Sequence, residues 1–267
     1  MRNTYGYRVD LHDVEFRSSV PSGPGVPGHH LSALPFHNSQ PSTTRKAGDT
    51  FHLTPPHDPL GEGDQLILEA LSTLRSLQSE GKIRNIGISG YPLPVLLRIA
   101  LLAKNTPPYR PLDIVQTYAH QTIMNDSLAQ GYLDALTERA GVGQVMNAAP
   151  LAMGTLTDGG GPVWHPLRKE AGKFEVTREA AELCRAKGTR LEIVASQFGF
   201  RKLNQKDGKI VPDVVGCKNV DEVRRTLEGH RDAKGQVGEA EKEVIELFEK
   251  RGVRGFSWTI PSMEACS

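Results

Sequence analysis

Residues 64–105 read DQLILEALSTLRSLQSEGK, then IRNIGISGY, then PLPVLLRIALLAKN, and this stretch decides the fold class. The first part places apolar side chains at three- and four-residue spacings and closes at Gly81, which is typical of an amphipathic helix with a glycine after its last turn. The second part is a short apolar run that ends at Gly90, as a buried strand does. The third part resumes the helical pattern with Pro92 in its first turn, where proline is tolerated. Helix, strand and helix therefore follow one another.

The same alternation extends over most of the chain. Short apolar runs alternate with segments of ten or more residues that have a helical pattern, which predicts βαβ units, an α/β fold and a parallel sheet. Five strands leave two architectures open, a doubly wound open sheet or part of an eight-stranded barrel. The predicted strands are residues 8–12, 83–89, 113–117, 143–148 and 213–216, and the later helical segments are residues 131–141, 177–188, 190–203 and 220–230.

Composition limits the classes of function. The 267 residues, 38% of them hydrophobic, favour one domain, 1–267, with a sizeable core. The 32 basic and 31 acidic side chains are spread along the chain, so no face suited to nucleic acid is expected. The most apolar run, 92–103, contains Arg98 and has the length of one ordinary helix, so no membrane span is predicted. Three scattered cysteines and a polar start favour the reducing cytoplasm.

Residues 17–63 differ in amino-acid composition from the rest of the chain. They are rich in Pro, Gly, Ser, Thr and His, as in PSGPGVPGHH and NSQPSTTRKAGD, and contain few branched or aromatic residues. Such a composition buries too little apolar surface to offset the entropy of ordering, so the sequence predicts a disordered insertion here. We assign its histidines no metal site, because they show no metal-ligand spacing.

Common short motifs for nucleotide binding and metal binding are absent from this sequence. No G-x-G-x-x-G follows a predicted strand, and neither a P-loop nor H-E-x-x-H occurs. His12 ends the first predicted strand and precedes Asp13, so its ring is a candidate for a cleft at the strand ends. A structural, hydrogen-bonded histidine would fit the same position.

Five segments in order resemble the aldo-keto reductase family, and within it the D-arabinose 1-dehydrogenase and L-galactose dehydrogenase branch. The GKIR-x-IGISGYP run, and NAAPLAMG followed by WHP, are the most specific of them. The segments are LHDVEF (11–16), EGKIRNIGISGYPL (80–93), DIVQTYAHQT (113–122), NAAPLAMG with GPVWHP (147–154 and 161–166) and VVGCKNVDEV (214–223).

The resemblance implies a (β/α)8 barrel, here a partial one comprising strands four to eight. It implies an oxidoreductase that binds NAD or NADP in an extended pose without a Rossmann fold, with NAD preferred in this branch. The implied reaction is oxidation of an aldose to its lactone, or the reverse reduction of a carbonyl compound. The missing glycine fingerprint agrees with this family.

The same resemblance assigns roles to particular residues. His12 falls on the histidine that hydrogen-bonds the substrate oxygen, and Ser89 and Gln116 fall on positions that hold the nicotinamide carboxamide. The same residue types also occur as ordinary polar groups at strand ends and on helix surfaces. The other implied cofactor contacts are Ala149, Leu151 and Met153 beneath the pyrophosphate, and Gly216, Cys217, Lys218, Glu222 and Arg225 near the adenosine phosphate.

Of the family's Asp, Tyr, Lys and His tetrad, only the histidine has a match in this sequence. The other three belong to the first three barrel units, so we expect the sheet edges at 8–12 and 213–216 to be unpaired. Unpaired edges would favour self-association through these strands. The alternative to an active enzyme is therefore a catalytically inactive partial barrel that acts as an interaction protein, or a non-functional remnant.

Overall fold

The computed structural model describes residues 8–10, 34–35, 62–201, 203–233 and 238–257. Within them, no helix is both long and apolar enough to cross a membrane. The elements in chain order are β1 (Arg8–Asp10), β2 (Leu34–Pro35), α1 (Glu62–Ser79), β3 (Gly87–Ser89), α2 (Leu93–Asn105), β4 (Ile114–Tyr118), β5 (Gln144–Ala148), α3 (Lys173–Ala186), α4 (Leu191–Gly199), β6 (Asp213–Gly216), α5 (Val220–Asp232) and α6 (Glu239–Lys250).

Residues 64–105 adopt the predicted helix, strand and helix. Gly81 has φ 71°, and the amide of Lys82 donates to the carbonyl of Leu77 at 2.9 Å, so the glycine ends α1 in a left-handed turn. Pro92 caps α2 with extended backbone angles, and its carbonyl accepts from the Leu96 amide at 3.1 Å. Both boundaries follow from the backbone preferences of glycine and proline.

A six-stranded sheet in the order β1-β6-β5-β4-β3-β2 forms the centre of the fold. The five strands from β2 to β6 pair in parallel, each with its neighbour. The predicted α/β class with a parallel sheet is thereby confirmed. Because parallel strands end at a common edge, the loops that follow β3, β4, β5 and β6 emerge on the same side.

The prediction for β1 is wrong in one respect. We expected it beside β3 as a parallel strand, with the edges of β1 and β6 unpaired. Instead β1 pairs antiparallel with β6, with Val9 opposite Val215. A strand edge carries unsatisfied N–H and C=O groups, and pairing with β1 satisfies those of β6. The edge of β6 that we expected to be unpaired is therefore occupied by β1.

The place beside β3 belongs to β2, which lies inside the stretch predicted to be a disordered insertion. Leu34 is opposite Ile88 and Pro35 is opposite Ser89. Proline has no backbone N–H, so it is tolerated in a sheet mainly at an edge, where no partner needs that donor. The sequence prediction missed this strand because two residues are too short for any periodicity.

The two faces of the sheet differ in burial. Val115 and Val145 are fully buried and belong to a core with α1 and α2. A second core joins α3, α4 and α6 to the loops after β4 and β5. The opposite face of the sheet, which would line the interior of a barrel, is only half-buried and carries Ser89, Ile114, Gln116, Tyr118, Met146 and Val214.

Two helical segments differ from prediction. Residues 131–141 were expected to form one helix, but the chain makes two π-helical turns, Leu128–Tyr132 and Ala135–Arg139, with Gly131 at φ 120°. Helix α6 was not predicted, because its sequence EAEKEVIELFEK is largely charged. Val244 and Phe248 are fully buried four residues apart, which is the signal that could have revealed it.

Candidate functional site

The candidate site lies at the edge of the sheet where β3 to β6 end. The register places Ser89 opposite Gln116 and Tyr118 opposite Ala148. Residues opposite each other in a parallel sheet point to the same face, so their side chains are neighbours. The strand ends therefore bring together residues that lie far apart in the sequence.

Ser89 and Gln116 form the first part of this edge. Both are half-buried on the barrel-facing side of the sheet, and the amide of Gly90 donates to the carbonyl of Gln116 at 3.2 Å. Among the described residues, neither side chain is engaged in a hydrogen bond. A hydroxyl and a primary amide side by side can both donate to and accept from a planar carboxamide.

The turn after β5 forms the second part and has unusual backbone angles. Leu151 has φ −94° and ψ 17°, and the next two residues, Ala152 and Met153, have φ 48° and 58°. A right-handed residue followed by a left-handed one turns successive N–H groups toward a common point, which is a recurrent anion-binding arrangement. No acceptor among the described residues bonds to the Leu151 N–H. The Ala152 N–H donates to the Ala149 carbonyl at 2.9 Å, so within this part of the turn it is the Leu151 N–H that a phosphate oxygen could meet.

Helix α5 begins directly after β6 and forms the third part. Its N-cap, Asn219, accepts from the Glu222 amide at 2.9 Å, and the Glu222 carboxylate accepts from the Lys218 amide at 2.6 Å. This arrangement is similar to a capping box, except that Glu222 accepts from the residue before the N-cap and not from the N-cap itself. Glu222 therefore caps the helix, whereas Lys218 remains exposed and can meet an anion.

Three more predicted residues lie around the same helix start. Gly216 is exposed with open space around its Cα, so the backbone can be approached closely there. Cys217 is buried, with its Sγ 3.6 Å from the Thr226 hydroxyl, and so contributes mainly to packing. Arg225 is exposed, and its Nε donates to the Asp221 carbonyl at 3.3 Å.

His12 lies outside the described residues, so the structure does not place it relative to this edge. Among the described residues, no cluster of three or more His, Cys, Asp or Glu side chains has the arrangement of a metal site.

Comparison with protein families identifies the chain. The model of the aldo/keto reductase family matches residues 29–230, which is most of the sequence. The chain belongs to the aldo/keto reductase family. The matched range includes the ten predicted cofactor residues from Ser89 to Arg225 but not His12.

Two curated relatives within this family are similar over most of the chain. L-galactose dehydrogenase of Arabidopsis thaliana is 31% identical over 200 residues, which cover 74% of this chain and 58% of that protein. D-arabinose 1-dehydrogenase of Saccharomyces cerevisiae is 27% identical over 188 residues, which cover 69% of this chain and 54% of that protein. The chain thus spans little more than half the length of these family members.

Solved aldo/keto reductase structures resemble the chain more distantly. The glycerol dehydrogenase of Gluconobacter oxydans matches with a TM-score of 0.43 and 19% identity, covering 71% of this chain and 56% of that one. An aldo/keto reductase from Brucella melitensis matches with a TM-score of 0.36 and 17% identity, covering 69% of this chain and 55% of that one.

Sequence reasoning missed an aromatic cluster beside the predicted cofactor residues. Tyr118 lies two residues after Gln116 and therefore points to the same face of β4. The ring of Tyr91 lies 6.1 Å from that of Tyr118 and 4.9 Å from that of His120, measured between centroids. Burial raises the pKa of Tyr118, so its hydroxyl is protonated at neutral pH and can donate a hydrogen bond. The two-residue spacing from Gln116 could have revealed Tyr118.

Residues 253–257 cover the loop that follows β4. The guanidinium of Arg254 pairs with Asp126 and donates to the Ile123 carbonyl at 2.6 Å. The Gly255 amide donates to the Met124 carbonyl at 2.8 Å. These contacts fix the segment so that the Ser257 hydroxyl lies 3.4 Å from that of Tyr91. No sequence pattern indicates this contact, because its two residues lie 166 positions apart.

Two buried histidines at this end of the fold predict a pH dependence of stability. Burial lowers the pKa of His120 from 6.5 to about 4, with the Tyr118 backbone acting in the opposite direction. Burial and the charge of Arg168 lower the pKa of His165 from 6.5 to about 4. Both rings are therefore neutral in the folded chain at neutral pH.

We expect the free energy of unfolding to decrease as the pH falls from 6.5 to about 4. In this window the unfolded chain binds protons that the buried rings do not, so acid favours unfolding. The contribution is fully present above pH 6.5, the pKa of histidine in the unfolded chain. It is lost as the pH falls through about 4, the pKa of the buried rings in the folded chain. It is on the order of 3 kcal/mol per ring. Urea unfolding between pH about 7 and about 4 measures it.

The control for this prediction removes the titrating rings. In a His120→Asn/His165→Asn variant, stability should depend less steeply on pH than in the wild type, since other acidic and basic groups contribute equally to both chains. Identical pH slopes for the two proteins would contradict the assignment of this acid sensitivity to the histidines.

Proposed function

We propose that this chain carries the cofactor site of an NAD(P)-dependent oxidoreductase that oxidises the anomeric carbon of an aldose to a lactone, or catalyses the reverse reduction. The observation that supports this most strongly is that three groups lie along one sheet edge, each suited to a different part of the cofactor. These are the Ser89 and Gln116 pair, the left-handed turn after β5, and the start of α5.

The residues present fit an extended dinucleotide. Ser89 and Gln116 would hold the nicotinamide carboxamide and so fix which face of the ring is presented to the substrate. The turn at 149–153 would meet the pyrophosphate through the Leu151 N–H. Exposed Lys218 and Arg225 would meet the adenosine phosphate beside the start of α5. When bound, the cofactor supplies the hydride chemistry that amino-acid side chains lack.

The substrate class rests on the relatives. Their names, L-galactose dehydrogenase and D-arabinose 1-dehydrogenase, point to an aldose as the small-molecule substrate. Another carbonyl compound would serve in the reverse reaction. In this proposal His12 hydrogen-bonds the substrate oxygen, and of the two cofactors NAD is preferred.

Cofactor binding is the first test of the proposal. Titration of the chain with NADH and with NADPH, followed by cofactor fluorescence, should give saturable binding, and the ratio of the two dissociation constants would identify the cofactor. Adding aldoses with NAD or NADP and following cofactor reduction then tests the reaction. Saturable binding of neither cofactor would refute the proposed site.

Gln116→Ala should weaken cofactor binding by about three- to tenfold, because it removes an amide that would hydrogen-bond the carboxamide. Gln130→Ala is the matched control, since Gln130 is exposed on the π-helical turn and its amide bonds Asp126 at 2.6 Å. The control should bind as the wild type does. Equal dissociation constants for the wild type and Gln116→Ala would remove Gln116 from the site.

A further inference from the structure

The turn after β5 keeps a backbone conformation that its residues disfavour. Ala149, Ala152 and Met153 have φ 57°, 48° and 58°, although none of them is glycine. The left-handed conformation is disfavoured for a residue with a side chain, because its Cβ lies too close to the following carbonyl oxygen. Strain of this kind persists only where the surroundings enforce it, and it is concentrated at ligand clamps. Contacts from outside the turn must therefore hold it.

One such contact is a close approach by residues 160–161. A Cβ atom on Gly161 would lie 3.0 Å from the carbonyl oxygen of Met153 and 3.0 Å from the amide nitrogen of Thr155. The backbone at Gly161 therefore rests directly on the turn, at a distance that only glycine permits. This contact limits the positions that Met153 and its neighbours can take.

The second contact comes from His165, whose ring is fully buried with 0% of its surface exposed. Its Nδ1 accepts a hydrogen bond from the Leu167 amide at 3.1 Å, which caps the short 3-10 helix Pro166–Lys169. The same ring interacts with the backbone of Ala152. His165 thus joins the strained turn to the 3-10 helix that follows it.

The segment that carries His165 is itself firmly braced. The guanidinium of Arg168 donates to the Pro162 carbonyl at 3.1 Å and to the Gly160 carbonyl at 3.3 Å. The same group lies 3.6 Å from the ring centroid of Phe174, the second residue of α3. A braced segment can transmit the rigidity of α3 to the turn through His165.

We propose that His165 is a positioning residue, which holds the turn at 149–154 in its left-handed conformation and thereby keeps the Leu151 N–H available to a phosphate-bearing ligand. The first half of this inference concerns the chain alone. The second half rests on the proposed function. His165 touches no reacting atom and acts only through the turn.

Amide hydrogen exchange tests the first half. The amides of Gly154, Thr155 and Leu156 bond to carbonyls within the turn, at 2.9, 3.1 and 3.2 Å. In His165→Ala they should exchange about tenfold faster, since loss of a buried hydrogen-bonding group costs on the order of 1.4 kcal/mol. Exchange at β4 should not change.

Two conservative variants separate the contact with the turn from the cap of the 3-10 helix. Nδ1 already accepts from the Leu167 amide, so the ring atom left for the Ala152 backbone is Nε2, whose place the Gln amide nitrogen takes, and His165→Gln should restore slow exchange in the turn. Asn places its side-chain oxygen close to where Nδ1 lies and replaces only the bond from Leu167, so His165→Asn should not. Unchanged exchange in His165→Ala, an equal increase at β4, or equal rescue by both variants would overturn the inference.

NADH titration tests the second half separately. His165→Ala should bind NADH about tenfold more weakly than the wild type, and His165→Gln should recover most of that loss. If the wild type binds no NADH while the exchange pattern is as expected, the proposed function fails and the structural role of His165 stands. If His165→Ala binds NADH as tightly as the wild type does, the positioning role fails.

Discussion

Gly161→Ala is expected to lower the free energy of unfolding by about 2–5 kcal/mol and to weaken cofactor binding. Gly161 has φ +72°, a conformation that strains alanine, and its added methyl group would meet backbone atoms of Met153 and Thr155 at 3.0 Å. Backbone atoms cannot move aside as a flexible side chain can, so the turn itself must shift. Urea unfolding measures the loss of stability, and NADH titration measures the weaker cofactor binding.

The control for Gly161→Ala lies two residues away in the same loop. A Cβ on Gly159 would meet its nearest neighbour, the Thr157 hydroxyl, at 3.7 Å, which is an ordinary contact. Gly159→Ala should therefore change stability by less than about 0.5 kcal/mol. If both variants are equally stable, the packing of residue 161 on the turn is not what holds it.

Asp64→Ala is expected to cost about 3 kcal/mol or more in the free energy of unfolding. The two carboxylate oxygens of Asp64 accept from two nitrogens of Arg98 at 2.7 and 2.9 Å, which joins α1 to α2. The side chains are only 11% and 16% exposed, so removing the carboxylate leaves a largely buried cation without that partner. Thermal or urea unfolding of the purified variant measures the loss.

Two further variants test this explanation. Glu80 pairs with Lys82 at 2.7 Å, but their side chains are 51% and 65% exposed, so Glu80→Ala should cost less than about 1 kcal/mol. The double variant Asp64→Leu/Arg98→Met replaces the buried pair by apolar groups and should recover most of the loss. If the double variant is as unstable as Asp64→Ala, the loss is not caused by leaving the buried Arg98 cation without its carboxylate partner.

Local signals predicted much of the fold correctly. Gly81, Gly90 and Pro92 divide helix, strand and helix in the first unit, because glycine and proline restrict the backbone at their own positions. Strands β4 and β5 begin within one residue of the prediction, and β6 agrees at both ends. Their apolar runs are bounded by polar residues or glycine, so neighbouring residues alone define them.

The candidate site was partly predictable for the same reason. Residues at the ends of parallel strands share an edge wherever such a sheet forms, so Ser89 and Gln116 are neighbours as expected. Tyr91 and His165 were not singled out for a role, although both lie within the quoted motifs. Their roles depend on Tyr118 and Ala152, and no local pattern predicts those partners.

The alternation of strands and helices, the parallel sheet and the order of polar residues along its carboxyl edge were all predictable without the structure. These properties depend on periodicity and on backbone preferences within a few residues. Three features became visible only in the folded chain: β1 pairs antiparallel with β6, Arg98 pairs with Asp64, and His165 interacts with Ala152 in the turn after β5. Each of these is a contact between residues distant in sequence, and such contacts are chosen by packing and by the need to satisfy buried polar groups.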